Sequence, residues 1–265
     1  MFKRLQNILA GLCLIALLPT STWGQSTSDL AKEIAPNGAL RVVINLGNPI
    51  LARRDKVTGA PVGVSVDLAQ ALAQQLNLSL TLIPVTSAGQ SVDLVTQDQA
   101  DLGFFAIDPV RGQGIAFTPA YVWIEGSYLV RQDSPITHNA QVDQATHRVV
   151  VGLGSAYDLF LTRELKHAQL VKAPTSPQVV PFFVQGGYDV AAGVKQQLES
   201  DAQKIPGLRL LPGRFMVIEQ AMGQPRHRSR LAQETLARFL AERKSSGFIQ
   251  ERLRHHQIEG ASVAP

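Results

Sequence analysis

Leu40-Arg41-Val42-Val43-Ile44, the run Gly63-Val64-Ser65-Val66-Asp67-Leu68-Ala69-Gln70-Ala71-Leu72-Ala73 continuing to Leu76, and the segment from Leu78 to Val85 decide the fold. The first is a β-branched run that reads as a buried strand, and it opens at the turn-forming Asn45-Leu46-Gly47-Asn48-Pro49. From Asp67 onward the apolar residues of the second recur at helical spacing. The third reads as another strand. Strand, helix, strand in that order is the βαβ unit of a mostly parallel sheet covered by helices.

The alternation continues outward. A helix is predicted near Gln90–Gln99 and a buried strand over Ala100-Asp101-Leu102-Gly103-Phe104-Phe105-Ala106. Asp108 followed by Pro109 has the form of a helix N-cap and first helical position, so a short helix is expected there. Phe117-Thr118-Pro119-Ala120-Tyr121 breaks it, and Val122 to Val130 reads as a long strand. A second cycle begins with Arg148-Val149-Val150-Val151 and the turn Gly152-Leu153-Gly154-Ser155. It runs through a helix from Tyr157 to Leu165, a strand over 168–171, a helix over 177–186 and a strand over 188–194. Leu231 to Arg254 reads as two helices divided at Ser245-Ser246-Gly247.

The first residues carry Lys3 and Arg4, then an apolar stretch from Ile8 to Leu18, then Pro19 and a small and polar run to Gln25. That is the layout of a secretory leader, placed here over 1–24, and it implies export to the periplasm. A membrane span needs about 20 apolar residues, more than this stretch offers. The only cysteine, Cys13, lies inside the leader, so thiolate metal sites, disulfides and Cys nucleophiles are not expected in the mature chain. With 45% hydrophobic and 17% charged residues the remainder is a globular composition with ample core. Loss of Lys3 and Arg4 lowers the formal charge of +4 by two. No Lys/Arg run is interleaved with aromatics, which argues against nucleic acid. The six histidines are scattered without ligand spacing, so neither a metal nor a cofactor is expected.

Leu40-Arg41-Val42-Val43-Ile44 and Gly63 to Ala73, with Ala100-Asp101-Leu102-Gly103 and with Arg111 followed by Ile115-Ala116-Phe117-Thr118-Pro119-Ala120-Tyr121, resemble the family 3 extracellular solute-binding proteins, the amino-acid-type receptors of ABC transporters. The resemblance spans roughly residues 38 to 255. It implies a periplasmic-binding-protein-like α/β fold of two lobes joined by two crossover strands. Lobe one would hold 38–128 plus 216–255, lobe two 132–212, and 256–265 would be a polar tail. The crossings would run through Trp123-Ile124-Glu125-Gly126-Ser127-Tyr128 and near Arg214-Phe215-Met216-Val217-Ile218. A small-molecule solute, an inner-membrane ABC permease and a monomeric state are the implied partnership.

The same resemblance proposes binding residues. Arg111 aligns with the arginine that grips a ligand carboxylate, a role its guanidinium fork suits, although a surface arginine would look the same in sequence. Asp108 stands where the family commonly has a threonine, and it would fit beside a ligand carboxylate only if Arg111 pairs with it. Ser155, in the strand-to-helix turn of lobe two, is placed to meet an anionic group and equally to cap the helix. The family's acid for a ligand ammonium falls on Gly193 or Val194 with no replacement nearby, so a ligand without a free α-ammonium is expected. Glu125 is an isolated acid in a crossing strand, to bind an ammonium or to order the hinge. Phe105, Tyr157, Trp123 and Asn48, the last in the first strand's loop, are further candidates for the cleft, the aromatics equally for the core. Passive capture is the leading function. A periplasmic enzyme similar to cyclohexadienyl dehydratase, or a ligand-sensing partner of a membrane receptor, is the alternative.

Overall fold

The β-branched run and the helix after it fold as their spacing predicts. The structure, a computed structural model, describes residues 27–265. The leader read over 1–24 and Cys13 lie outside the described residues. Helix α1 (Thr27–Ile34) leads into β1 (Ala39–Asn45), and a small hairpin of β2 (Arg53–Arg54) and β3 (Pro61–Val62) precedes α2 (Val64–Leu76). Gly63 enters α2 at φ +135°, where any Cβ would stand 2.4 Å from the Leu51 carbonyl oxygen, so only glycine fits. Asn77 ends α2 in the left-handed region, and Leu78 N–H closes the turn on Ala73 O at 2.9 Å. β4 (Ser79–Val85) then pairs parallel with β1 from Ala39↔Ser79 to Asn45↔Val85.

After α3 (Ala88–Thr96) come β5 (Gly103–Ala106), β6 (Ile115–Phe117) and the long β7 (Val122–Arg131). The helix expected after Asp108 is only a 3-10 turn, Arg111–Gln113. Asp108 turns its carboxylate onto Val110 N–H, two residues on, at 2.8 Å, and this tight local bond replaces the cap of a full α-helix. The second cycle is β8 (Arg148–Gly152), α4 (Ala156–Glu164), β9 (Gln169–Ala173), α5 (Val179–Gln185), β10 (Val190–Val194), α6 (Lys195–Lys204) and β11 (Leu208–Leu210). The chain returns through β12 (Met216–Pro225) and closes with α7 (Arg230–Ser245), α8 (Phe248–His255) and β13 (Ser262–Val263).

β7 and β12 organise everything else. They pair antiparallel from Met216↔Gly126 to Gln220↔Val122. Beyond that stretch β7 turns to β10 and β11, while β12 turns to β5 and β6. Each strand therefore belongs to two neighbourhoods. On one side a hydrophobic core gathers Leu40, Leu68, Leu72, Ile124, Leu236 and Phe239, with a smaller cluster of Val43, Val95, Phe105 and Ile115. On the other, Leu129, Val150, Leu161, Phe183 and Leu198 form a separate core. Each such fully buried side chain contributes about 1.5–3 kcal/mol. Val194 and Met216 touch both of the larger cores, at the seam. We call the two sides lobe one and lobe two. The final residues add β13 to the edge of β7, with Ser262↔Trp123 and Val263↔Val122, and bury Ala264.

Candidate functional site

Between the lobes lies a cleft enclosing about 850 Å³ of atom-free space, mouth included. Lobe one lines it with the loop after β1 (Asn45, Gly47, Asn48), the end of β5 (Phe105, Ala106), Arg111 and Gln220 of β12. Lobe two supplies Ser155, Tyr157, Ser176 and Val180, the end of β10, and one face of α6 with Gln197, Leu198 and Asp201.

Arg111 is the centre of the arrangement. It is 5% exposed, and its guanidinium donates to Ala106 O at 3.1 Å in lobe one and to Gly154 O at 2.9 Å in lobe two. Gly154 can turn its carbonyl toward Arg111 because it adopts φ +69°. Arg111 Nε is buried without a hydrogen-bond partner, and among the described residues no carboxylate lies within 4.0 Å of the guanidinium. Burial pushes its pKa down to about 10, opposed by the charge of Asp108. The group stays cationic at neutral pH, at a desolvation cost that an anionic ligand would offset.

Asp108 does not line the cleft. It is 4% exposed and its second oxygen pairs at 2.9 Å with Arg163 NH1 of α4. A place beside a ligand carboxylate would require Asp108 to pair with Arg111. The observed partner stands in the opposite lobe, so Asp108 ties the lobes together instead of meeting a ligand.

Ser155 caps α4 by accepting from Asp158 N–H at 3.0 Å, and it also lines the cleft. Tyr157 lines the cleft beside it, and burial, opposed by Ser176 and Ser155, raises its pKa. Gly152 makes room for the Tyr157 hydroxyl, since a Cβ there would lie 2.9 Å from it. Asn48 lines the cleft with its Oδ1 buried and unpartnered. Phe105 contributes one wall while packing edge-on to Phe117 at 6.4 Å.

Glu125 and Trp123 lie outside the cleft lining. Glu125 accepts from Arg214 at 2.7 Å and Lys195 at 3.3 Å, joining β7, the start of α6 and the approach to β12. The Arg214 hydrogen bond, helped by Lys195 against the effect of burial, holds its carboxyl below the ordinary value. Of the two roles read for Glu125, this geometry fits ordering of the crossing. Trp123, in register with Glu219 and Ser262, keeps its Nε1 buried and unpartnered.

Sequence reasoning missed Gln220, Ser176, Gln197 and Asp201. The last two stand four apart on the helix that begins at Lys195 and so share one of its faces. Asp201 also corrects the expectation that lobe two offers no carboxylate near the site. Among the described residues no His/Cys/Asp/Glu group suits a metal, and no helix is long and apolar enough to cross a membrane.

Two α/β lobes, two crossing strands and a cleft with a buried cation define a periplasmic-binding-protein-like fold. The chain belongs to the bacterial extracellular solute-binding proteins, family 3, which it matches over residues 40–256. It is 24% identical over 205 residues to cyclohexadienyl dehydratase of Pseudomonas aeruginosa, covering 71% of this chain and 70% of that protein. It is 29% identical over 131 residues to membrane-bound lytic murein transglycosylase F of Aeromonas hydrophila subsp. hydrophila, 49% of this chain but 26% of that longer protein. Among solved structures it superposes, with a TM-score of 0.73 and 19% identity, on an amino acid ABC transporter substrate-binding protein from Streptococcus pneumoniae bound to L-arginine. That match covers 85% of this chain and 97% of the other.

Proposed function

We propose that this chain is a periplasmic receptor that captures a small carboxylate-bearing solute between its lobes and delivers it, as a monomer, to an inner-membrane ABC permease. The observation that carries the reading is Arg111: buried in the cleft, bonded to a backbone carbonyl of each lobe, with no carboxylate within 4.0 Å among the described residues, and with Nε unpartnered. A ligand carboxylate would complete it with charge-assisted hydrogen bonds. Contacts made from both lobes at once give the ligand higher affinity for the closed arrangement, which biases a hinge motion about β7 and β12. The division into 38–128 plus 216–255 and 132–212 is the hinge boundary we infer. The solute-binding family and the amino-acid-binding structural relative support capture without chemistry. The test is thermal unfolding of the mature protein against a library of amino acids, hydroxy acids, dicarboxylates and aromatic acids. A ligand at a hundredfold over its dissociation constant adds about 2.7 kcal/mol. Arg111→Ala is expected to abolish that gain. An unchanged affinity overturns the assignment, and turnover of prephenate or arogenate replaces capture with catalysis.

A further inference from the structure

The cleft holds one more charge. Among the residues lining it Arg111 is the only cation and Asp201 the only carboxylate. They belong to opposite lobes and do not pair with one another. Asp201, 13% exposed at its side chain, is held by Gln197, whose Nε2 donates to both carboxylate oxygens at 2.9 Å. Its nearest cation is Lys204 at 3.8 Å, a side chain 69% exposed and one turn further on. A pair so long and so exposed contributes little, so Asp201 keeps lone pairs for another donor. The same cleft is also lined by the apolar Val194 and Leu198 from lobe two and Ile218 from lobe one. Asp201 also stands seven residues beyond Val194, about 10 Å along the axis of α6.

Two opposite charges on opposite lobes of one cleft, with apolar side chains in its lining, match a ligand with the inverse pattern. Resting on the capture reading, we infer that Asp201 is the cation anchor of the cleft and that the solute is a carboxylic acid carrying its ammonium several methylene groups away. Gln197 is the positioning residue that fixes the carboxylate. The methylenes lie along Val194, Leu198 and Ile218, where burial of each contributes to affinity. Placing the cation at the far end agrees with the absence of any acidic side chain at the strand end, Gly193–Val194.

The test is calorimetric titration of the mature protein with 4-aminobutanoate, 5-aminopentanoate and 6-aminohexanoate, each against the alkanoate of the same chain length, and with 2-aminopentanoate. The wild type is expected to prefer at least one of the ω-amino acids to its alkanoate by about tenfold or more, the range of a charge-assisted hydrogen bond. Asp201→Asn is expected to bring that ratio close to one, with thermal unfolding confirming a folded protein. Asp201→Glu, which extends the anchor by one methylene, is expected to shift the preferred chain one methylene shorter, a change a merely structural carboxylate would not produce. Preference for an alkanoate or for 2-aminopentanoate, or a ratio that Asp201→Asn leaves intact, overturns the anchor while capture stands. Silence of the wild type toward all seven compounds, together with silence in the wider library, overturns both.

Discussion

Arg111 turns a sequence motif into a measurable property. Its guanidinium is buried and depressed to about 10 in the folded chain, so it binds fewer protons there than in the unfolded chain as pH rises above that value. The sign follows: its desolvation cost is fully present at neutral pH and is relieved as pH climbs past 10, whereas a bound anion favours the protonated form. Carboxylate affinity is therefore expected to stay flat from about pH 6 to 9 and to fall as pH rises through about 10, which calorimetry across that range would check. Asp108 shows the limit of reading at this scale. Its spacing from Arg111 is visible in sequence, but its partner, Arg163, lies 55 positions away and is joined to it only by the way the lobes meet.

At the scale of elements, the glycines of β5 and β12 explain how Phe105 reaches the cleft. Gly103 and Gly223 are opposite each other in the ladder, and a Cβ on either would lie within 2.8 Å of the Phe105 ring. Gly223→Ala would also press on Ile115. It is expected to cost about 1–3 kcal/mol by overpacking, seen as a lowered unfolding midpoint, and to weaken ligand binding by displacing that wall. Periodicity revealed β1, α2, β4, β7 and the α7–α8 pair, because long apolar patterns dominate their own local structure. It was weaker where tertiary contacts decide. The short β6 and β13 exist only because β12 and β7 offer them edges, and the segment after Asp108 is a 3-10 turn because its carboxylate bonds two residues ahead. Of the site, Arg111, Ser155, Tyr157, Asn48 and Phe105 were legible and reach the cleft. Asp201 was not, since a polar helix whose only apolar residues are Leu198 and Ala202 gives no sign of which face meets the other lobe.

For the whole molecule, the bridges Arg111–Gly154 and Asp108–Arg163 hold the lobes together through groups of the chain itself. Arg163 is partly exposed, so its removal should cost little global stability. It would leave Asp108 without its cation, and that acid is solvated most easily when the lobes part. Arg163→Ala is therefore expected to raise the radius of gyration of the protein without solute in small-angle scattering, and to weaken solute affinity by the closed population lost.

The unequal continuity of the two cores has a temporal consequence. The core around Leu129 and Phe183 is built from one uninterrupted stretch between Tyr128 and Leu211, whereas the core around Leu68 and Phe239 joins residues near 31–124 to residues near 218–253. Long chain closures are slow to form. Lobe two is thus expected to acquire protection first during refolding, while Leu40, Leu68 and Leu72 wait for the C-terminal helices. Pulsed hydrogen exchange would show Val149–Val151 protected before Val42–Ile44. The cleft, needing both lobes, would then be the last feature to mature, and a newly made chain would be unable to close on any ligand until its final helices had docked.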